Sequence, residues 1–328
     1  MINAKKYAII DLHLHLDGSM SLECARSLAK KQGIALPDDK ELLSRLRVSD
    51  DCRDLNEYLE RFDLPLSLLQ TAEAISESVE RLCNELQSQG LIYAEIRFAP
   101  QLHLQKGLTQ EEVVLAAIEG LNRSDFFASL ILCCMRGADN REANIETVRL
   151  VKKYLEKGVC AVDLAGAEAL FPNEEFVDVI NYARSLSLPM TLHAGEALGA
   201  DSVASAIELG ADRIGHGVRS IENPKILKSL AEKKIPLELC PTSNLNTRVF
   251  DDLKDYPIRT FLESGVLITV NTDNMSVSAT TLADEYQRLA DALELTEADL
   301  KKIALCSISA TFLDSKGREK IFDMVDIF

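Results

Sequence analysis

The sequence has no tryptophan, only five histidines and a shortage of positive charge. Lysine and arginine number 36 against 52 aspartates and glutamates, a net charge of -16. Such a balance repels a nucleic-acid backbone and an anionic membrane, so neither is expected as a partner. No stretch approaches the roughly 20 apolar residues of a membrane span. The N-terminal apolar run stops at Asp11, too short for a signal peptide. The eight cysteines form no C-x-x-C pair and no regular framework. Cys133 and Cys134 are adjacent, and Cys160 and Cys240 lie in apolar runs, so reduced core thiols in the cytoplasm are expected. The missing tryptophan carries no functional information.

What is present is a large potential core. With 328 residues, 47% of them apolar, the chain is long enough for two ordinary domains or one large α/β barrel. Its organising stretch is AIIDLHLHLDG at residues 8–18. It reads as a short strand ending in two histidines. Side chains alternate faces along a strand, so His13 and His15 share one face and could bind one metal ion.

Residues 21–90 read as helical, with Ser19 or Ser21 as a cap for the helix over 21–32. Residues 54–69 place Leu55, Tyr58, Leu59 and Phe62 on one helical face, either as core or as an apolar lid over a pocket. Another amphipathic helix is predicted over 76–89, stopping before Gly90. Strand-like runs follow at 91–99, 126–135, 159–165, 189–193, 213–216, 236–240 and 266–271. Helical segments separate them. With the first strand this makes eight short apolar strands alternating with helices, which predicts a (β/α)8 TIM barrel. No linker or repeat divides the chain. One domain over 1–328 is expected, with an elaborated helical connection over about 20–90.

Catalytic groups of such barrels sit at the C-terminal strand ends. Four of the five histidines fall at these ends: His13, His15, His193 and His216. Only His103, in a polar loop after strand 2, stands apart, and it is expected at the surface. His13, His15, His193 and Asp273 are expected to converge at the barrel mouth, a donor set that suits zinc. Zinc lowers the pKa of a bound water towards ~7. His216, between two glycines, could orient that water and take its proton, and Glu196 could donate to a ring nitrogen. Strand 4 ends in DLAG without a lysine to bridge two metals, which favours one metal ion.

The segments HLHLDG (13–18), DLAG (163–166), HAGE (193–196), GHG (215–217), CPTSN (240–244) and NTD (271–273) resemble the adenosine deaminase family. That family lies within the metal-dependent amidohydrolase superfamily. YAEIRFAP (93–100) and SATFL (309–313) are also similar to family segments. The resemblance runs through nearly the whole chain, in order. It implies one Zn2+ held by His13, His15, His193 and Asp273. It implies that Glu196 protonates N1 of a purine and that His216 and Asp273 handle the water attacking C6. His15 and Asp17 would lie against the substrate, with Asp17 near the ribose, and the Gly166 N–H would donate to N3. The implied reaction is hydrolytic deamination of adenosine and 2′-deoxyadenosine to inosine or deoxyinosine plus ammonia, in purine salvage, with no dedicated protein partner.

One departure stands out. The family pattern continues the metal aspartate with a second aspartate and a proline, whereas this chain has Asn274-Met275. The family residue faces N7, an acceptor. An asparagine amide donates there without protonation. Leu55, Tyr58 and Phe62 resemble the apolar gate on the ribose side, which favours a nucleoside. The alternatives are an adenine deaminase and a deaminase of a modified adenosine of the aminodeoxyfutalosine type. A binding protein on the same scaffold is disfavoured by the complete set of ligand and acid/base residues.

Overall fold

The computed structural model describes residues 2–49 and 51–325. Eight parallel strands alternate with helices: β1 Ile10–His15, β2 Tyr93–Phe98, β3 Ala128–Met135, β4 Val159–Ala165, β5 Thr191–Ala194, β6 Arg213–His216, β7 Leu237–Leu239 and β8 Ile268–Val270. They form two four-stranded sheets, β1-β2-β3-β4 and β5-β6-β7-β8. The sheets meet at two seams, each with a single bridge. Val162 pairs with Met190 between β4 and β5, and Leu14 pairs with Asp273 just beyond β8. The eight-stranded α/β architecture is therefore that of a TIM barrel whose ring is thin at two places.

The outward faces of the strands bury Leu14, Ile96, Leu130, Leu132, Leu164, Leu192 and Ile214 in the main core, under the helices. The inward faces differ from the expected apolar runs. Glu95, Arg97, Asp163, Arg213 and Glu238 are buried charges there, and each finds a charged partner within the barrel. Burying such groups is tolerable only because they neutralise and hydrogen-bond one another.

The long connection after β1 is helical. Its first helix, α1 (Leu22–Gln32), is capped by Ser21, whose side chain accepts from Cys24 N–H, and ends at Gly33 with φ 67°. Next come α2 (Asp39–Leu46), α3 (Leu55–Leu59), α4 (Asp63–Leu68) and α5 (Ala72–Ser88). The single helix expected over 54–69 is thus broken into α3 and α4 around a 3-10 turn at Glu60–Phe62. Pro65 supplies the reason. It has no N–H for the Arg61 carbonyl and its ring crowds that turn. Asp54 caps α3, accepting from Asn56 and Glu57 N–H. Thr71 caps α5, which begins at Ala72, four residues before the expected position.

All eight cysteines are buried and unpaired, as expected. No helix among the described residues is long and apolar enough to cross a membrane.

Candidate active site

β1 is pleated so that His13 and His15 project from its C-terminal end into the barrel mouth. His193 from β5, His216 from β6 and Asp273 beyond β8 approach from the other sheet. His15 Nε2 lies 3.3 Å from His193 Nε2 and 3.4 Å from an Asp273 carboxylate oxygen. His13 Nε2 lies 3.5 Å from the same oxygen. His216 Nε2 is 3.6 Å from Glu196 and 4.0 Å from the other Asp273 oxygen.

Backbone geometry holds this cluster. The Asp273 N–H donates to the His13 carbonyl at 2.8 Å, and the His15 N–H donates to the Asp273 carbonyl at 2.7 Å. Asp273 and His216 both adopt positive φ, 60° and 55°. Non-glycine residues seldom tolerate that region, and such strain clusters at functional sites. Gly215 packs tightly beside them: a Cβ there would meet His13 Cε1 and the His193 Cα at 3.1 Å.

The outer nitrogens of two rings are tied to carboxylates. His13 Nδ1 lies 2.7 Å from Glu238 Oε2, and His193 Nδ1 lies 3.0 Å from Asp163 Oδ2. A neutral ring that donates its Nδ1–H to such a carboxylate presents a bare Nε2 lone pair inwards. His13 Nε2 is buried without any hydrogen-bond partner. The ligand atoms of His13, His15 and His193 lie within 4.8 Å of one another. Converging lone pairs beside a carboxylate fit a cation, and imidazole donors with outer carboxylates suit zinc.

The acid/base groups have complementary electrostatics. Burial, with Asp273 and Glu168 nearby, pushes the Glu196 carboxyl well above the usual range, which favours its protonated form. Burial pushes the His216 imidazole well down, and its histidine neighbours add to this. Burial works against the Asp273 carboxylate, but the His13, His216 and His15 imidazoles around it hold it ionised.

A cavity of about 230 Å³ opens onto this centre, lined by His15, Asp17, Gly166, His193, Glu196, His216, Asp273 and Asn274. Leu55, Tyr58 and Phe62 cover one side. Tyr58 lines the cavity, and its buried hydroxyl pairs with Ser278 Oγ at 2.7 Å. Gly166, at φ 109°, brings bare backbone to the wall. The Asn274 amide lies over Gly18, where a Cβ would run into it, and its Oδ1 is buried without a partner.

The comparisons with known proteins agree with this architecture. The adenosine deaminase family model matches residues 9–328. An adenosine deaminase from Haemophilus ducreyi is 50% identical, with 98% of this chain and 96% of that protein aligned. This chain belongs to the adenosine deaminase family. Among solved structures, adenine deaminase from Arthrobacter aurescens superposes with a TM-score of 0.85 at 25% identity, covering 97% of each chain. An amidohydrolase from Burkholderia ambifaria with bound Zn gives a TM-score of 0.84 at 21% identity, over 98% of this chain and 93% of that one, a likeness of fold.

Sequence reading misjudged one histidine and missed several supports of this adenosine deaminase site. His103 is fully buried, not at the surface. Its Nδ1 is 2.8 Å from the Leu69 carbonyl, because the helices after β1 fold over the loop that follows β2. Glu168 accepts from four successive backbone N–H groups, those of Gly195, Glu196, Ala197 and Leu198, and from Ser202 Oγ. It thereby fixes the loop that carries Glu196. Arg136 donates to the His193 carbonyl at 2.6 Å and to Asn173. Asn244 Nδ2 lies 3.1 Å from His216 Nδ1 and Tyr256 donates to Asn244 Oδ1 at 2.8 Å. The available signal was charge inside apolar strands: Arg97 in YAEIRFA and Glu238 in PLELC.

Proposed function

We propose that this chain is a zinc-dependent adenosine deaminase. It hydrolyses the C6–N bond of adenosine and 2′-deoxyadenosine, giving inosine or deoxyinosine and ammonia, in cytoplasmic purine salvage. The observation that carries the reading is the meeting of the buried Glu196 carboxyl with the His15, His193 and His216 imidazoles on one cavity. Family membership and the 50% identity to a named adenosine deaminase support it.

In this reading His13, His15, His193 and Asp273 hold one Zn2+. Bound there, zinc acidifies a water and polarises the reacting centre. Glu196 gives its proton to purine N1, which leaves C6 open to attack. His216 and Asp273 orient the attacking water, and His216 takes its proton at Nε2. That role needs the ring proton on Nδ1. A half-turn of the Asn244 amide presents Oδ1 to that N–H and Nδ2 to the Tyr256 oxygen, so both hydrogen bonds persist. Asp17 binds the ribose, the Gly166 N–H binds N3 and the Asn274 amide donates to N7. Leu55, Tyr58 and Phe62 cover the sugar, within a helical lid over about 20–90 of one domain spanning 1–328. No dedicated protein partner is part of this reading.

The test is ultraviolet absorbance with adenosine, 2′-deoxyadenosine and adenine side by side, on zinc-loaded protein, with Glu196→Gln as the blank. Turnover of the nucleosides alone, lost in the variant, supports the reading. Turnover of adenine alone transfers the chain to the adenine deaminases and overturns the lid assignment. Inertness towards all three directs attention to modified adenosines and to what Asn274 selects.

A further inference from the structure

His13 and His193 reach the centre from different sheets, yet their outer nitrogens lead to one side chain. Arg97 lies in β2 beneath the site, with no solvent exposure. One arm of its guanidinium donates to Asp163 Oδ2 at 2.9 Å. The other donates to Glu238 Oε2 at 2.8 Å and to the Leu12 carbonyl at 2.6 Å. Glu238 Oε2 is the oxygen that meets His13 Nδ1, and Asp163 meets His193 Nδ1. The chain His13–Glu238–Arg97–Asp163–His193 is thus continuous and entirely buried.

Resting on the metal reading above, we propose that Arg97 is a positioning residue for the metal centre. Its guanidinium sets Glu238 and Asp163 at a fixed separation, and these two carboxylates fix the rotation and tautomer of His13 and His193 together. A guanidinium suits the task because its planar fork places two donors on two acceptors at once, whereas an ammonium is a point charge on a flexible stem. Arg213 makes an informative contrast. It is an equally buried guanidinium, but it reaches the other oxygen of Glu238 and turns away to Glu95, without touching Asp163. Arg213 therefore supports one histidine, and Arg97 couples two.

The experiment compares wild type, Arg97→Lys and Arg213→Lys after metal removal. Zinc affinity is measured by chelator competition, the visible spectrum with Co2+ as the probe, and folding by circular dichroism. Partners of this kind are worth about 10–100-fold in metal affinity. Arg97→Lys is expected to lose that much zinc affinity and to change the cobalt spectrum, more than Arg213→Lys does, with both variants folded. Zinc affinity within about twofold of wild type, or a loss no larger than that of Arg213→Lys, overturns the proposal. Should Arg97→Lys not fold, Asp163→Asn, Glu238→Gln and their double variant carry the test. Coupling through Arg97 makes the double loss smaller than the product of the single losses, and full additivity overturns it. A wild-type protein that takes up no metal at all overturns the reading beneath the proposal, a result distinct from either.

Discussion

His13 and Asp273 are joined through both backbone and side chain. The Asp273 N–H donates to the His13 carbonyl at 2.8 Å, and an Asp273 carboxylate oxygen stands 3.5 Å from His13 Nε2. The same residue closes the β8–β1 seam and faces the proposed metal position. Replacing its side chain leaves the backbone bonds intact. Asp273→Ala is therefore expected to stay folded while losing a proposed ligand and a proposed contact to water. Turnover should fall by at least about 10²-fold, with reduced metal content. Metal analysis beside a steady-state assay checks this; a folded variant with full metal and near-normal turnover contradicts the assignment.

In the proposed mechanism Asn244 sets which nitrogen of His216 carries the proton. Asn244→Asp can only accept at Nδ1, which frees Nε2 as a base, so substantial turnover is expected. Asn244→Leu offers nothing to the ring, and kcat should drop by roughly 10–10²-fold, within the contribution of a positioned general base. Equal loss in both variants would remove His216 from the base role. The measurement is kcat with metal content controlled.

Asn274 and Gly18 touch so closely that the second limits the first. Gly18→Ala should displace the amide from the cavity and weaken binding of the base. One lost hydrogen bond is worth about 0.5–1.5 kcal/mol, roughly 2–10-fold. A rise in KM of that size, with kcat little altered, is expected for both Gly18→Ala and Asn274→Ala. A fall in kcat without a KM effect would place Asn274 outside the base pocket.

His103 makes the protein sensitive to acid. Burial lowers its pKa to about 4, against an opposing hydrogen bond to the Leu69 carbonyl. Between about pH 6.5 and 4 the unfolded chain binds a proton at this residue that the folded chain refuses. Stability is therefore fully present above about 6.5 and declines as the pH falls towards 4. By pH 5 the loss from this one residue is about 2 kcal/mol. Urea unfolding at pH 7.5 and pH 5 should show a smaller acid loss in His103→Gln. An unchanged difference would mean that His103 titrates normally.

The candidate site was legible in the sequence because its members are local. His13, His15, His193, His216 and Asp273 lie at or just beyond the ends of short strand-like runs, and strand ends are where such barrels place chemistry. The supports were not legible. Arg97 meets residues 66 and 141 positions away, and nothing in a linear pattern pairs Arg97 with Asp163 and Glu238. His103 was misread because its burial comes from Leu69 and the helices around it, on a separate stretch of chain. The break between α3 and α4 had a readable cause in Pro65, which helical periodicity alone overrode.

The two seams have a consequence for the protein without its metal. His13 and His15 belong to one half of the barrel, and His193 and Asp273 to the other, while single bridges at Val162–Met190 and Leu14–Asp273 join the halves. An ion held by all four side chains is then a rivet between the halves, contributing cohesion that the backbone at the seams supplies sparingly. Chelation should accelerate amide hydrogen exchange first at His15, Val162 and Asp273, whose N–H groups span the seams, ahead of the interior of either sheet.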